Sequence, residues 1–145
     1  MAVINKEIVV NVPPEKIWST LIEDPNRWTE WLTPIRALEE KVTGAVREGL
    51  EFHIQMGKMG GAKVKVKEVV PNRLLRWNGG PPMAHIMGMA MRGTLEFRRT
   101  NGATHVSLRM VTPMMMAPMM GMMSGLKPRE EMEKTIQQIK RLSEK

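Results

Sequence analysis

Apolar and polar side chains alternate along much of this 145-residue chain. Over residues 3–12, Ile4, Ile8, Val10 and Val12 share one face, the mark of a strand with one side buried. Pro13 and Pro14 end it. Pro14 suits the first turn of a helix, in which Ile17, Trp18 and Leu21 form a short apolar stripe. Asp24-Pro25 repeats that start signal and opens a second brief helix carrying Trp28 and Trp31.

After Pro34 the spacing changes from helical to two-fold. Residues 35–43 are expected to form a strand. In LEFHIQM (50–56), Leu50, Phe52, Ile54 and Met56 face one way and Glu51, His53 and Gln55 the other. GKMGG (57–61) is a hairpin signal, AKVKVKEVV (62–70) alternates again, and Pro71-Asn72 turns the chain. RLLRW (73–77) places Leu75 and Trp77 together, and GGPP (79–82) breaks the pattern. Residues 83–99 predict one long strand, with Met83, His85, Met87, Met89, Met91, Gly93, Leu95 and Phe97 on one face. Asn101-Gly102 is a strong hairpin dipeptide, and residues 103–112 follow with Val106, Leu108 and Met110 aligned. Residues 129–145 form an amphipathic helix with Met132, Ile136, Ile139 and Leu142 as its stripe, acids leading and bases following.

The order is therefore one strand, two short helices, six strands and a long helix. Strands joined by short turns make an antiparallel sheet, and one face of that sheet needs a cover. The terminal helix is the element long enough to supply it. No repeat or linker interrupts the chain, so residues 1–145 are expected to be a single domain.

Composition changes this picture in three ways. Cys is absent, which removes disulfides and thiolate metal sites. The net charge of +7 raises nucleic acid as a partner, but the cations alternate with apolar residues, as in KVKVKE (63–68), and read as solvated strand faces. No nucleic-acid binding is expected, although weak attraction to acidic surfaces is compatible with the charge. Neither a signal peptide nor a stretch of the roughly 18–20 apolar residues needed for a membrane span is evident, so a cytoplasmic location is expected. The third feature is sixteen Met. Apart from Met1 and Met132, all lie between residues 56 and 123, seven of them in MMMAPMMGMM (114–123).

This order of elements, with particular residues, resembles the helix-grip superfamily: the pollen-allergen-like, lipid-transfer and polyketide cyclase/dehydrase proteins, of SRPBCC type. The residues that carry the resemblance are IVVNVPPEKIWSTLIEDPNRWTEW (8–31), VVPNRLLRW (69–77), GTLEFRRTNGATHVSL (93–108) and PMMGMMSGLKPREEMEKTIQQIKRLSEK (118–145). The methionine run falls where such proteins carry a Leu- and Pro-rich lead-in to the last helix. The resemblance implies an α+β fold: a curved seven-stranded antiparallel sheet, two short helices, and a long C-terminal helix enclosing an apolar cavity. It further implies ligands such as lipids, sterols, polyketides or plant hormones. Some members are enzymes, and one branch activates a heat-shock chaperone, so the fold does not settle function.

Methionine is flexible and polarisable, and a wall of it accommodates ligands of several shapes. Set in that cavity, the expected wall is Trp31, Phe52, Ile54, Trp77, His85, Met87, Met89, Met91, Met110, Met115, Met119, Met122, Met123 and Ile136. The competing interpretation is a plain core, because Met for Leu is nearly volume-neutral. Thioethers hold Cu(I), but no Cys joins them and the His residues do not cluster, so neither a metal nor a cofactor is expected. His53 and His105 fall on polar strand phases, whereas His85 falls among Met side chains and is the one candidate base. Arg76 and Arg92 lie in outward phases. No G-x-S-x-G, metal-spaced His pair, P-loop or dinucleotide fingerprint is present. Binding of an apolar small molecule leads. The alternatives are a cyclase or dehydrase using His85 and a protein-interaction module docking through the methionine segment. A monomer or weak homodimer is expected.

Overall fold

The computed structural model describes residues 2–56, 61–112 and 128–145. Strand β1 spans Ala2–Val10. The double proline then starts helix α1 (Pro14–Ile17), which runs on as a wider π-helical turn over Trp18–Ile22. The Asp24 side chain caps a 3-10 turn, Pro25–Arg27, by accepting from the Asn26 amide at 3.0 Å. Helix α2 (Trp28–Trp31) follows. Six strands come next: β2 (Ala37–Leu38), β3 (Glu51–Gln55), β4 (Gly61–Val70), β5 (Leu74–Gly80), β6 (Met91–Thr100) and β7 (Ala103–Thr112). A short helix α3 (Pro82–Ile86) separates β5 from β6, and α4 (Pro128–Ser143) closes the chain. All seven strands form one antiparallel sheet in the order β1-β7-β6-β5-β4-β3-β2.

The two-fold pattern holds through most of the sheet. Phe52, Ile54, Val64, Val66, Leu75, Trp77, Leu95, Val106 and Leu108 are buried on one face, against Ile136 and Ile139 of α4. A bulge between Val66 and Glu68 shifts the phase of β4, so that Val69 rather than Glu68 lies opposite Leu75. The bulge keeps Glu68 across from Arg76 on the outer face, where they form an ion pair at 3.4 Å. Asn101 and Gly102 both take positive φ, as the tight β6–β7 turn requires.

Three expectations are corrected. The strand over 35–43 shrinks to Ala37–Leu38 because a side chain captures the backbone beyond it. The Asn26 amide donates to the Val42 carbonyl at 2.7 Å and accepts from the Val42 amide at 2.9 Å, as a strand partner would. The long strand over 83–99 starts only at Met91. Pro82 occupies a helical first turn, and Met83, Ile86 and Met87 recur at helical rather than strand spacing. Gly88, with φ of 69°, ends that excursion. The β5 strand in turn passes through Gly79 and Gly80, so the break expected over 79–82 comes at Pro81.

Helix α4 is tied down at both ends. At its start Thr33 donates to Glu131 Oε2 at 2.8 Å, and the Thr33 amide donates to the buried Thr135 hydroxyl at 3.3 Å. At its end Lys140 reaches the Val9 carbonyl at 2.9 Å, and the Glu144 carboxylate accepts from Lys140 at 2.6 Å and from the Asn11 amide at 2.7 Å. The Lys140 hydrogen bond first, and the Asn11 amide second, hold the Glu144 carboxyl below its ordinary pKa of 4.5. A depressed carboxylate stabilises the fold above its unfolded pKa, and that stabilisation fades as pH falls through the folded value. Glu144→Gln should therefore lower the denaturation midpoint slightly near neutral pH and leave it unchanged in acid. Thermal melts of both chains across that pH range measure it.

Candidate functional site

The concave face is filled mainly by aromatic rings. Trp28 and Trp31 lie 5.5 Å apart, Trp28 meets Phe52 at 5.4 Å, and Trp77 stands edge-on to both indoles at 6.1 and 6.2 Å. Both tryptophans of α2 satisfy their buried N–H groups on the preceding helical turn. Trp28 donates to the Ile22 carbonyl and Trp31 to the Leu21 carbonyl, both at 2.9 Å. The π-helical turn over Trp18–Ile22 carries both carbonyls, so the local helix irregularity and the aromatic cluster are parts of one arrangement.

Two inner-face glycines decide what space remains. In the sheet register Val66, Trp77, Gly93 and Met110 lie opposite one another across β4, β5, β6 and β7. The next row is Phe52, Val64, Gly79 and Met91, across β3 to β6. At Gly93 the missing side chain lets the Trp77 ring lie close against the strand, and a Cβ there would overlap that ring. At Gly79 a Cβ would meet nothing within 4 Å. Beside Gly79 lies an apolar cavity of about 50 Å³. Its walls include Leu32, Ile35, Ile54, Val64, Trp77 and Gly79, and half-buried Met56, Met91 and Met110 also border it. Among the described residues, no charged side chain is part of these walls.

Several of the expected wall residues meet there: Ile54, Trp77, Met91 and Met110. Trp31, Phe52 and Ile136 are buried behind it in the aromatic and helical core and do not reach its surface. Met87 and His85 require correction, because both sit on or just after α3 instead of on a strand. Met87 is exposed. His85 is half-buried on the outer side of the sheet, where its Nε2–H donates to the Lys63 carbonyl at 2.9 Å. It borders no part of the cavity. Met89 is half-buried in the return from α3, where its amide donates to the Ala84 carbonyl at 2.7 Å. Met115, Met119, Met122 and Met123 lie outside the described residues.

His53 is exposed, and His105 stands 3.6 Å from Glu7 on the outer face. Arg76 and Arg92 are likewise exposed on the outer face. Among the described residues no three His, Asp or Glu side chains gather as metal ligands. No helix among them is long and apolar enough to cross a membrane.

The sequence did not single out Leu32, Pro34, Ile35, Met56, Val64 or the Gly79–Pro81 stretch as cavity residues. Gly79 was detectable. It stands two residues after Trp77, on the same strand phase, where an inward side chain would otherwise be. Its place in a Gly-Gly-Pro-Pro cluster disguised that phase as a chain break.

Comparison with known proteins agrees with this architecture. A solution structure of an Aha1 dimer from Colwellia psychrerythraea superposes with a TM-score of 0.71 at 19% identity, covering 99% of this chain and 97% of that one. A crystal structure of a Mesorhizobium loti protein matches with a TM-score of 0.70 at 19% identity, over 97% and 96% of the two chains. A Chromobacterium violaceum protein matches with a TM-score of 0.68 at 17% identity, over 100% and 99%. At such identities these likenesses establish the helix-grip fold alone. No curated protein sequence matches the chain. The family model described as polyketide cyclase / dehydrase and lipid transport matches residues 1–144. With nearly every residue covered by that match, the chain belongs to the polyketide cyclase/dehydrase and lipid transport family.

Proposed function

We propose that this protein binds an apolar small molecule, a lipid, polyketide or similar compound, in the cavity beside Gly79. The observation that carries this reading is the inner-face position at Gly79, which lacks a side chain and has no neighbour filling the space among the described residues. Packed cores rarely leave such a position empty. The surrounding walls are apolar, so a ligand would be held mainly by burial, at about 25 cal/mol per Å² of apolar surface before ordering costs. The cavity at about 50 Å³ admits only a small group as it stands. Met56, Met91 and Met110 supply the adaptability, since each thioether chain has three soft torsions and can swing aside to enlarge the space. The match to a family named for cyclases and lipid transport supports a ligand of this class. The protein would act as a monomer or weak homodimer, which light scattering measures directly.

Gly79→Leu is the decisive variant. Its φ lies outside the positive region, so leucine is compatible with the backbone, and the new side chain would enter the empty space. Stability should change by less than about 1.5 kcal/mol. Uptake of a neutral apolar dye such as Nile red, and of lipids detected by native mass spectrometry, should fall about tenfold or more. The proposal is lost if Gly79→Leu binds as well as the unaltered chain, or if the unaltered chain takes up no apolar compound at all.

A further inference from the structure

We propose that α3 seats this protein on an anionic lipid surface, its apolar side chains entering the bilayer while the adjoining basic groove meets the headgroups. Helix α3 is held from beneath. Ala84 is buried, its carbonyl accepts from the Met89 amide at 2.7 Å, and His85 fixes the helix to the Lys63 carbonyl at 2.9 Å. From this anchored turn three large apolar side chains project outward: Met83 at 64%, Ile86 at 80% and Met87 at 62% exposure. Among the described residues, the other large exposed apolar side chains, Val3, Val9 and Val70, are scattered singly over the strands. Lone exposed apolar residues are ordinary, but three on one short helix form a patch.

The second observation is charge. A groove of about 560 Å³ runs from His85 and Gly88 onto the outer face of the sheet, where Lys67, Arg92 and Arg109 border it. No carboxylate pairs with any of these three cations among the described residues, whereas Arg76, at the same groove, is paired with Glu68. The register places Arg92 opposite Asn78 and Val111, and Arg109 opposite Thr94 and Asn5, so no acid stands directly across from either. The net charge of +7 adds attraction at longer range.

An anionic bilayer presents both chemistries at one interface, acyl chains below a plane of phosphates. A nucleic acid would engage the cations and leave the apolar tip in water. An apolar protein groove would take the tip and gain nothing from the cations. Docking in this way would also bring the rim of the cavity to the membrane, because Gly80 and Pro81 line the cavity and lead directly into α3. The surface itself does not depend on the cavity: Gly79→Leu leaves every residue of it in place.

Co-sedimentation of the full chain tests this, using vesicles of phosphatidylcholine alone and of phosphatidylcholine mixed with phosphatidylserine. We expect pelleting with the mixed vesicles only, weakening as salt is added. The double change Ile86→Asp with Met87→Asp should reduce binding at least about tenfold, since two exposed apolar anchors are lost. Arg92→Gln and Arg109→Gln should each reduce it about fivefold. All four positions are exposed, and unchanged circular dichroism would verify folding. Equal pelleting with both vesicle types, no pelleting with either, or full binding by the Asp variant overturns the proposal. So does retention on duplex DNA that outlasts the Asp changes, which would give the groove to nucleic acid. Failure of the cavity test with success here, or the reverse, separates the two readings.

Discussion

Gly93→Ala is expected to destabilise the protein by about 3 kcal/mol, although it adds a single methyl group. Gly93 pairs with Trp77 across β5 and β6, and the indole lies over it so closely that a Cβ would overlap the six-membered ring. The methyl sits on backbone, so the ring must move. It has little room to do so, because it is 3% exposed and stands against Trp28 and Trp31. Displacing Trp77 would disturb the cluster that joins the sheet to the helical corner. Gly79→Ala is the internal control: the same change, two residues along β5 from Trp77, meets open space and should cost little. Chemical denaturation of the two variants beside the parent measures the contrast. Equal midpoints for Gly93→Ala and Gly79→Ala would show that the Trp77 ring is not confined as described.

Trp31→Ala should cost more, about 4 kcal/mol, and should enlarge the binding space. Trp31 is fully buried, and its removal takes away contacts with Trp28 and Trp77. It also leaves the Leu21 carbonyl without the N–H that it now accepts from at 2.9 Å, which adds a desolvation penalty to the cavity cost. Because Trp77 is both a neighbour of Trp31 and a wall of the cavity, the vacated volume would adjoin the existing one. The variant should therefore bind a free indole or benzene-sized ligand that the parent excludes, and recover part of its lost stability in that ligand's presence. Thermal melts with and without added indole test this. A variant equally unstable in both would mean that the corner collapses onto the space instead of leaving it open.

The elements of the fold were largely legible because most depend on local rules. Alternation marked β1, β3, β4 up to its bulge, and β7, Pro14 and Asp24-Pro25 marked the helix starts, and the stripe of Met132, Ile136 and Ile139 marked the face of α4. Where a distant group intervened, the local pattern misled. The shortening of β2 depends on Asn26 clasping Val42, sixteen residues away, and nothing within 35–43 encodes that clasp. The α3 excursion is hidden in the sequence for a different reason. Methionine is unbranched and suits helix or strand, so its recurrence at alternate positions from 83 to 91 carried little conformational information. Pro82 and Gly88 carried it instead.

The candidate site shows the same division. The sequence by itself determined that the inward phase would be apolar, that Ile54, Trp77, Met91 and Met110 would share one face, and that the charged residues would fall mainly on the other. Only the tertiary structure decided which of those inward positions is filled. Gly79 and Gly93 are chemically identical and lie on the same face of adjacent strands, yet Gly93 is covered by an indole and Gly79 is left open by the described residues. Occupancy depends on which side chains reach across from the helical corner and from neighbouring strands. That is a property of three-dimensional packing, which no spacing along the chain records. His85 made the complementary point: its neighbours in sequence are methionines, but the fold turned it to the Lys63 carbonyl and the basic outer face because a helix of barely one turn reversed the phase that alternation had assigned to it.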